Sequence, residues 1–392
     1  MRTKSARARL CPTCTKPMKK NGLTATGKQR WKCTLCSHTH IRVHERHRQE
    51  AQLNEFLDWL LTGKFQWDMD NSKGRAFRKR CAWCWTIHPH IRPTGVVCHT
   101  IMVDGTYLAH GWCLLIAIDG NTGKVQAFQW CSHETQAAYE ALFTQLAPPD
   151  VLISDGLHGI ERACKNQWPT THMQRCLVHV QRNTRADLTN KPQLLAGKEL
   201  KKLSDYLTHI HTQEQARNWG NALNAWYTTY KQFLNERTWA KDDPSSPRAR
   251  SHEWWWTHRD LRRCYYRLEK LFNQGKLFTY LDPHLQEGGI VPRTSNLLEG
   301  GINSLIKRTL LHHHGLSEEH MRRACEWRCY MKSENPNPSQ LLTQILTTSP
   351  TPAQPVGPVE PVEEELYDRG VQENNHDDPT SEPGFYIRKQ PH

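Results

Sequence analysis

The chain has 392 residues, and its 52 Lys and Arg against 39 Asp and Glu give a net charge of +13. Hydrophobic residues make up 37%, low but enough for a core at this length, which by size alone accommodates roughly two to four modules. No window holds eighteen consecutive apolar residues, which excludes a membrane-spanning helix at the sequence level. The basic start MRTKSARARLC leads into no apolar run, so no secretory signal is expected.

Charge is concentrated at the ends. Residues 1–50 carry 13 Lys/Arg against 2 Asp/Glu, and residues 350–392 carry 3 against 9. A basic end of this kind points to a polyanion, most simply nucleic acid, although a solvated basic arm has the same composition. With 14 cysteines and a reducing compartment expected, metal ligation or core packing explains the thiols better than disulfides do.

The first element spans 1–43. Cys11-x2-Cys14 and Cys33-x2-Cys36 set two thiol pairs at two turns, a spacing that closes a tetrahedral Zn2+ site. Between them Asn21-Gly22 and Thr26-Gly27 suit the turns of a ribbon. The expectation is a structural zinc ribbon; a redox role for the pairs is the alternative. Residues 44–95 read as a helical DNA-binding module. Leu53, Phe56, Leu57, Leu60 and Leu61 recur at helical spacing, and the basic stretch SKGRAFRKRCAWCWTI forms a second helix, as in a helix-turn-helix. Any small helical pair has the same pattern. Cys81-x2-Cys84 falls in this second helix with His88 and His90 nearby, and buried structural thiols are expected there rather than a second metal site.

From 96 the texture turns to strands. VVCHTIMVDGTYL and WCLLIAIDGNTGKVQAFQWC contain three strand-like runs, with DGNTGK turning between the last two. A helix at 135–147, a strand at 151–156, a helix at 158–167 and a strand at 171–180 follow. Three antiparallel strands and then alternating helix and strand predict a mixed α/β sheet. Residues 185–290 read as an all-helical, Trp-rich insertion, and 296–334 as helix. His312-His313-His314 reads as a surface tract, because adjacent helical residues point in different directions. The Pro-rich acidic segment 335–392 is expected to be a disordered tail.

Three carboxylates stand out. Asp104 lies inside the first strand of the sheet, where a buried charge needs a cation or donor. Asp155 ends a later strand, the place where α/β sheets line a crevice, although Asp before Gly also serves an ordinary turn. Glu299 sits in NLLEGG at a helix start, with Ser295-Asn296 as its cap and Leu298, Ile302, Leu305 and Ile306 as its apolar face. Together they could hold two Mg2+ ions. Glu253, Glu269 and Glu287 compete with Glu299 for the third place. Lys307 and Arg308, two turns on, are candidates for DNA phosphates.

The order VDGTYL, SDG, RCLVHVQRN and NLLEGGINSLIKR resembles the Mutator-type bacterial insertion-sequence transposases over roughly residues 98–334. The resemblance implies a ribonuclease H-like domain over 96–334, with a helical insertion before the last acidic residue and Asp104, Asp155 and Glu299 as the catalytic triad. It implies two Mg2+ ions with Mn2+ as a substitute, cleavage of insertion-sequence ends, and strand transfer of the 3′-hydroxyl into target DNA. Cys176 and His179 match the Cys-x2-His that family members carry. An N-terminal ribbon with structural Zn2+, found in a subset of such proteins, fits binding of terminal inverted repeats. Joining two ends implies a homo-oligomer, dimer or larger, and the expected location is the bacterial cytoplasm with the nucleoid. Two other functions suit the same residues: a structure-selective nuclease without strand transfer, and a domesticated DNA-binding regulator.

Overall fold

A computed structural model describes residues 10–347, apart from Pro12, residues 42–44 and Thr94. The expected acidic tail from 348 onward lies outside the described residues. The described residues divide into two compact units, one holding 10–87 together with 337–347, the other holding His88–Pro336.

The first unit opens with β1 (Met18–Leu23), β2 (Gln29–Cys33) and β3 (Thr39–Ile41), an antiparallel sheet of three strands. The Thr24–Lys28 turn closes through backbone bonds of 2.8 and 2.9 Å. Helix α1 (Glu45–Thr62) buries Leu53, Phe56, Leu57 and Leu60 of the apolar face read from the sequence, and leaves Leu61 half-buried. The expected long second helix is two short pieces, α2 (Arg75–Cys81) and a 3-10 turn at Ala82–Thr86. The tighter turn brings Trp85 edge-on to Phe56 and Trp59. Asp70 sets the start of α2 by accepting from Ser72 Oγ and from the backbone N–H of Ser72, Gly74 and Phe77, which hold its carboxyl well below the usual range. Within the segment assigned to the tail, Pro338–Thr347 is a helix that belongs to this unit, with Leu341 and Leu342 buried. Its apolar residues at helical spacing find a core, which the proline-rich neighbourhood obscures.

The second unit is built on β4 (Thr100–Tyr107), β5 (Cys113–Asp119), β6 (Val125–Cys131), α3 (Gln136–Phe143), β7 (Val151–Ser154), α4 (His158–Gln167) and β8 (His172–Arg175). The strands form one sheet in the order β6-β5-β4-β7-β8. Pairs among β4, β5 and β6 are antiparallel, and β4, β7 and β8 run parallel. Strand residues alternate between two cores. Ile101, Val103, Leu115 and Leu152 pack with Tyr139, Phe143 and Ile160 of α3 and α4. Met102, Leu114, Ile116 and Ile153 face the opposite side, with Leu177 and the later helices. Burial on both faces explains the nearly continuous apolar runs of these strands.

The run 171–180 is not one strand. It leaves the sheet at Arg175 and becomes α5 (Leu177–Leu188), because Leu177, Val180, Thr184 and Leu188 form a buried face at helical spacing. The insertion continues with α6 (Leu195–Tyr206) and α7 (Gln213–Leu234), then β9 (Arg237–Trp239), β10 (Trp254–Trp256) and α8 (Arg259–Asn273). It is therefore not all-helical: β9 and β10 pair antiparallel. The triple tryptophan is a strand, with Trp255 buried on one side and Trp254 and Trp256 flanking the Arg237 guanidinium on the other. Trp219 and Trp226 are core, and their indole N–H groups donate to the carbonyls of Leu203 and Ala196. Arg263 and Arg267 clamp the buried Asp187, tying α8 to α5.

The chain returns to the sheet through α9 (Pro283–Glu287), α10 (Asn296–Leu298), a wider π-helical turn at Glu299–Asn303, α11 (Ser304–His312) and α12 (Glu318–Met331). The last is anchored by Trp130 Nε1 donating to Glu326 Oε1 at 3.0 Å, with Arg323 paired to the same carboxylate. Among the described residues no helix is long and apolar enough to cross a membrane.

Candidate active site and cysteine cluster

The parallel register sets the first two acidic residues. Met102 of β4 pairs with Ile153 of β7, so Asp104 and Asp155 stand at matching positions, two residues further along adjacent strands. Asp104 shares the face of Met102 and is half-buried. Burial, and then the negative charges of Asp155 and Glu134, push its carboxyl up to about 7; Glu299 adds to this and His179 opposes it. Glu134, in the loop between β6 and α3, is the carboxylate that the sequence reading missed. It accepts from Tyr139 Oη at 2.7 Å and lies so close to β4 that a Cβ on Gly105 would stand 2.2 Å from its Oε1. The Asp104-Gly105 pair therefore leaves room for a second acid across the strand.

Asp155 follows β7 and accepts the Leu157 N–H at 3.2 Å. Gly156 has φ +73, and a Cβ there would fall 1.1 Å from Arg175 Nη1. Arg175, the last residue of β8, is 6% exposed. Its guanidinium packs on this glycine, where burial lowers its pKa and the charge of Asp155 works against that lowering.

Glu299 opens the π-helical turn. The backbone breaks at Gly301, with ψ −108, so the regular helix expected from Leu297 does not form there. Ser295 makes no side-chain cap; its backbone N–H and its hydroxyl both donate to Cys176 Sγ at 3.2 Å, and the hydroxyl reaches Glu299 Oε1 at 3.3 Å. Leu298, Ile302 and Ile306 are buried as the sequence predicts, while Leu305, expected on the same face, is only half-buried. Glu299 is ion-paired with Arg182 at 3.0 Å, and His179 Nε2 lies 3.8 Å from its Oε1.

Cys176 and His179 thus fall at the start of α5, one turn apart, and join Glu299 in a group whose possible ligand atoms all lie within 4.8 Å of one another. Burial opposes ionisation of Cys176, but His179 and the Ser295 hydrogen bonds outweigh it and lower the thiol pKa. Burial likewise opposes charge on His179, and Cys176, Asp155 and Glu299 outweigh it.

The rival glutamates lie elsewhere: Glu269 accepts from Tyr265 within α8, and Glu253 and Glu287 are exposed. Lys307 and Arg308 are exposed on α11. His313 is 8% exposed, so the histidine run is not a surface tract throughout; the helix ends at His312 and the chain turns His313 inward. Arg182, three residues after His179 in the same quoted motif, and Asn303, four after Glu299, are further members of the site. Their helical spacing from recognised residues is the signal that could have found them.

In the other unit the four ribbon cysteines form a cluster suited to structural zinc. Sulfur separations are 3.4 Å for Cys14–Cys33 and 3.5 Å for Cys11–Cys36 and Cys14–Cys36, close to the roughly 3.8 Å edge of a tetrahedron with Zn–S near 2.3 Å. Burial works against ionisation of Cys11, but the N–H groups of Cys14 and Thr13 and the neighbouring thiols bring it down to about 6. Cys81 and Cys84 are buried, and among the described residues they join no third ligand.

A comparison with curated proteins returns no match. Residues 90–241, the stretch that contains Asp104, Asp155, Cys176 and His179, match the model of the family described as Transposase, Mutator family, and they give this chain a Mutator-type transposase domain.

Proposed function

We propose that the protein is a DNA transposase that cuts insertion-sequence ends and transfers the freed 3′-hydroxyl to target DNA at Asp104, Asp155 and Glu299. The observation that carries this reading is the parallel register that sets Asp104 of β4 and Asp155 just after β7 at matching positions, with the turn that holds Glu299 tied to Asp104 through Asn303. A carboxyl on the central strand, raised to about 7 by burial and by charges that include Asp155 and Glu299, sits where negative charge is in excess. That donor set, all carboxylate oxygen, suits Mg2+ or Mn2+. Bound there, two such ions would supply an activated water and stabilise the attacking and leaving oxygens.

The chain's own residues do the rest. Asp104 offers oxygens from within β4, Asp155 from the end of the adjacent β7, and Glu299 from the helical side. Arg182 pairs with Glu299 and keeps its side chain 45% exposed, so its guanidinium can hold a phosphate oxygen as well. Lys307 and Arg308 neutralise flanking phosphates. The mixed sheet with Asp104 on its central strand supports a ribonuclease H-like reading. The ribbon, folded by Zn2+ on Cys11, Cys14, Cys33 and Cys36, and the helical module after it bind terminal inverted repeats, in an assembly of at least two copies that holds two ends.

The test is Glu299→Gln, assayed with labelled element ends. Volume is kept and charge removed, so end binding should persist while cleavage and strand transfer fall by orders of magnitude. Normal cleavage by this variant would overturn the triad. Cleavage without strand transfer by the wild-type protein would make it a nuclease.

A further inference from the structure

Asn303 ends the π-helical turn that begins at Glu299, and wide turns of this kind often mark functional sites. Its side chain is 4% exposed and reaches the central strand across 199 residues of sequence, with Nδ2 donating to Asp104 Oδ2 at 2.9 Å. An amide accepts as well as donates. Asn303 Oδ1 is buried and has no hydrogen-bond partner among the described residues, whereas buried polar atoms in native proteins are nearly always satisfied. Turning the amide over would set its oxygen against an ionised carboxylate, so the donor orientation is the one that charge favours. The acceptor is thus left beside a carboxylate that, once ionised, has nothing to donate. What can satisfy it there is the O–H of a water, and a divalent cation on Asp104 would hold such a water in place.

We propose that Asn303 is a positioning residue for metal at Asp104: its N–H fixes one carboxylate oxygen and leaves the other for a divalent cation, while its Oδ1 accepts from a water in that cation's hydration shell. The inference rests on the reading of Asp104 as a metal ligand. It places Asn303 in the outer sphere, where partners orient ligands and tune affinity, and it gives the π-helical turn a purpose, because one short segment then delivers both Glu299 and the residue that orients Asp104.

The experiment measures Mn2+ binding by the free-Mn2+ electron paramagnetic resonance signal, on the zinc-loaded full-length protein without DNA. Thermal midpoints are recorded with and without Mn2+. Asn303→Ala is expected to weaken Mn2+ binding by about 10–100-fold. Asn303→Asp sets two carboxylates face to face, so its metal-free form should melt lower and Mn2+ should raise its midpoint by more than it raises that of the wild type. A purely structural tie to the sheet would lower the midpoints and leave Mn2+ affinity within about twofold. Asn303→Ala binding Mn2+ as the wild type does, while Asp104→Asn loses it, overturns the positioning role alone. Should Asn303→Ala fail to fold, an Mn2+ shift in Asn303→Asp no larger than in the wild type overturns it equally. Wild-type binding by Asp104→Asn overturns the metal site itself, and the inference with it.

Discussion

Asp104→Asn should make the metal-free protein more stable at neutral and alkaline pH. Burial and the charges of Asp155, Glu134 and Glu299 raise this carboxyl to about 7 against an ordinary 3.8, with only His179 opposing. The folded protein therefore holds the proton more tightly than the unfolded chain. Its contribution to stability is fully present below the unfolded pKa and is lost as pH rises through 7. A shift of about three units corresponds to about 4 kcal/mol of folded-state cost by pH 8. The asparagine keeps an oxygen to accept from Asn303 Nδ2 and carries no charge. Thermal denaturation of both proteins between pH 5 and 8, without Mg2+ or Mn2+ but with zinc retained, should show the wild type falling relative to the variant. At roughly 2–4 °C per kcal/mol for a unit of this size, the relative fall is large enough to measure readily. Mn2+ should reverse the order by stabilising the wild type alone. Parallel pH profiles for the two proteins would refute the burial of a proton-binding Asp104.

Gly156→Ala should destabilise the second unit by roughly 2–5 kcal/mol, from the positive φ and from a methyl that would overlap the buried Arg175 guanidinium; a thermal midpoint within about 2 °C of the wild type would contradict this. Cys33→Ser should abolish stoichiometric zinc, about one ion per chain, and weaken binding to element ends, while cleavage of pre-bound ends at high concentration is less affected. Metal analysis that finds the same zinc content in the variant would remove the ribbon from the account.

The sequence by itself determined features carried by local pattern. The Cys-x2-Cys pairs are gathered as their spacing predicts, since each pair closes over one turn. The DGNTGK turn forms because Asp119 Oδ1 caps the N–H groups of Asn121 and Thr122, and α4 spans the residues its pattern marks. Tertiary structure decided the rest. Residues 171–180 carry apolar side chains that suit strand or helix, and the core packed against Leu177, Val180 and Leu188 selects helix beyond Arg175. Trp254–Trp256 is a strand because Arg237–Trp239, earlier in the insertion, supplies the pairing. In the site, strand position marked Asp104 and Asp155, whereas Glu134, Arg182 and Asn303 carry no such mark. Periodicity says which face of an element is buried and not what meets it there. The contact between Asn303 and Asp104 spans 199 residues, and only the packing of the last helices against the central strand brings the two together.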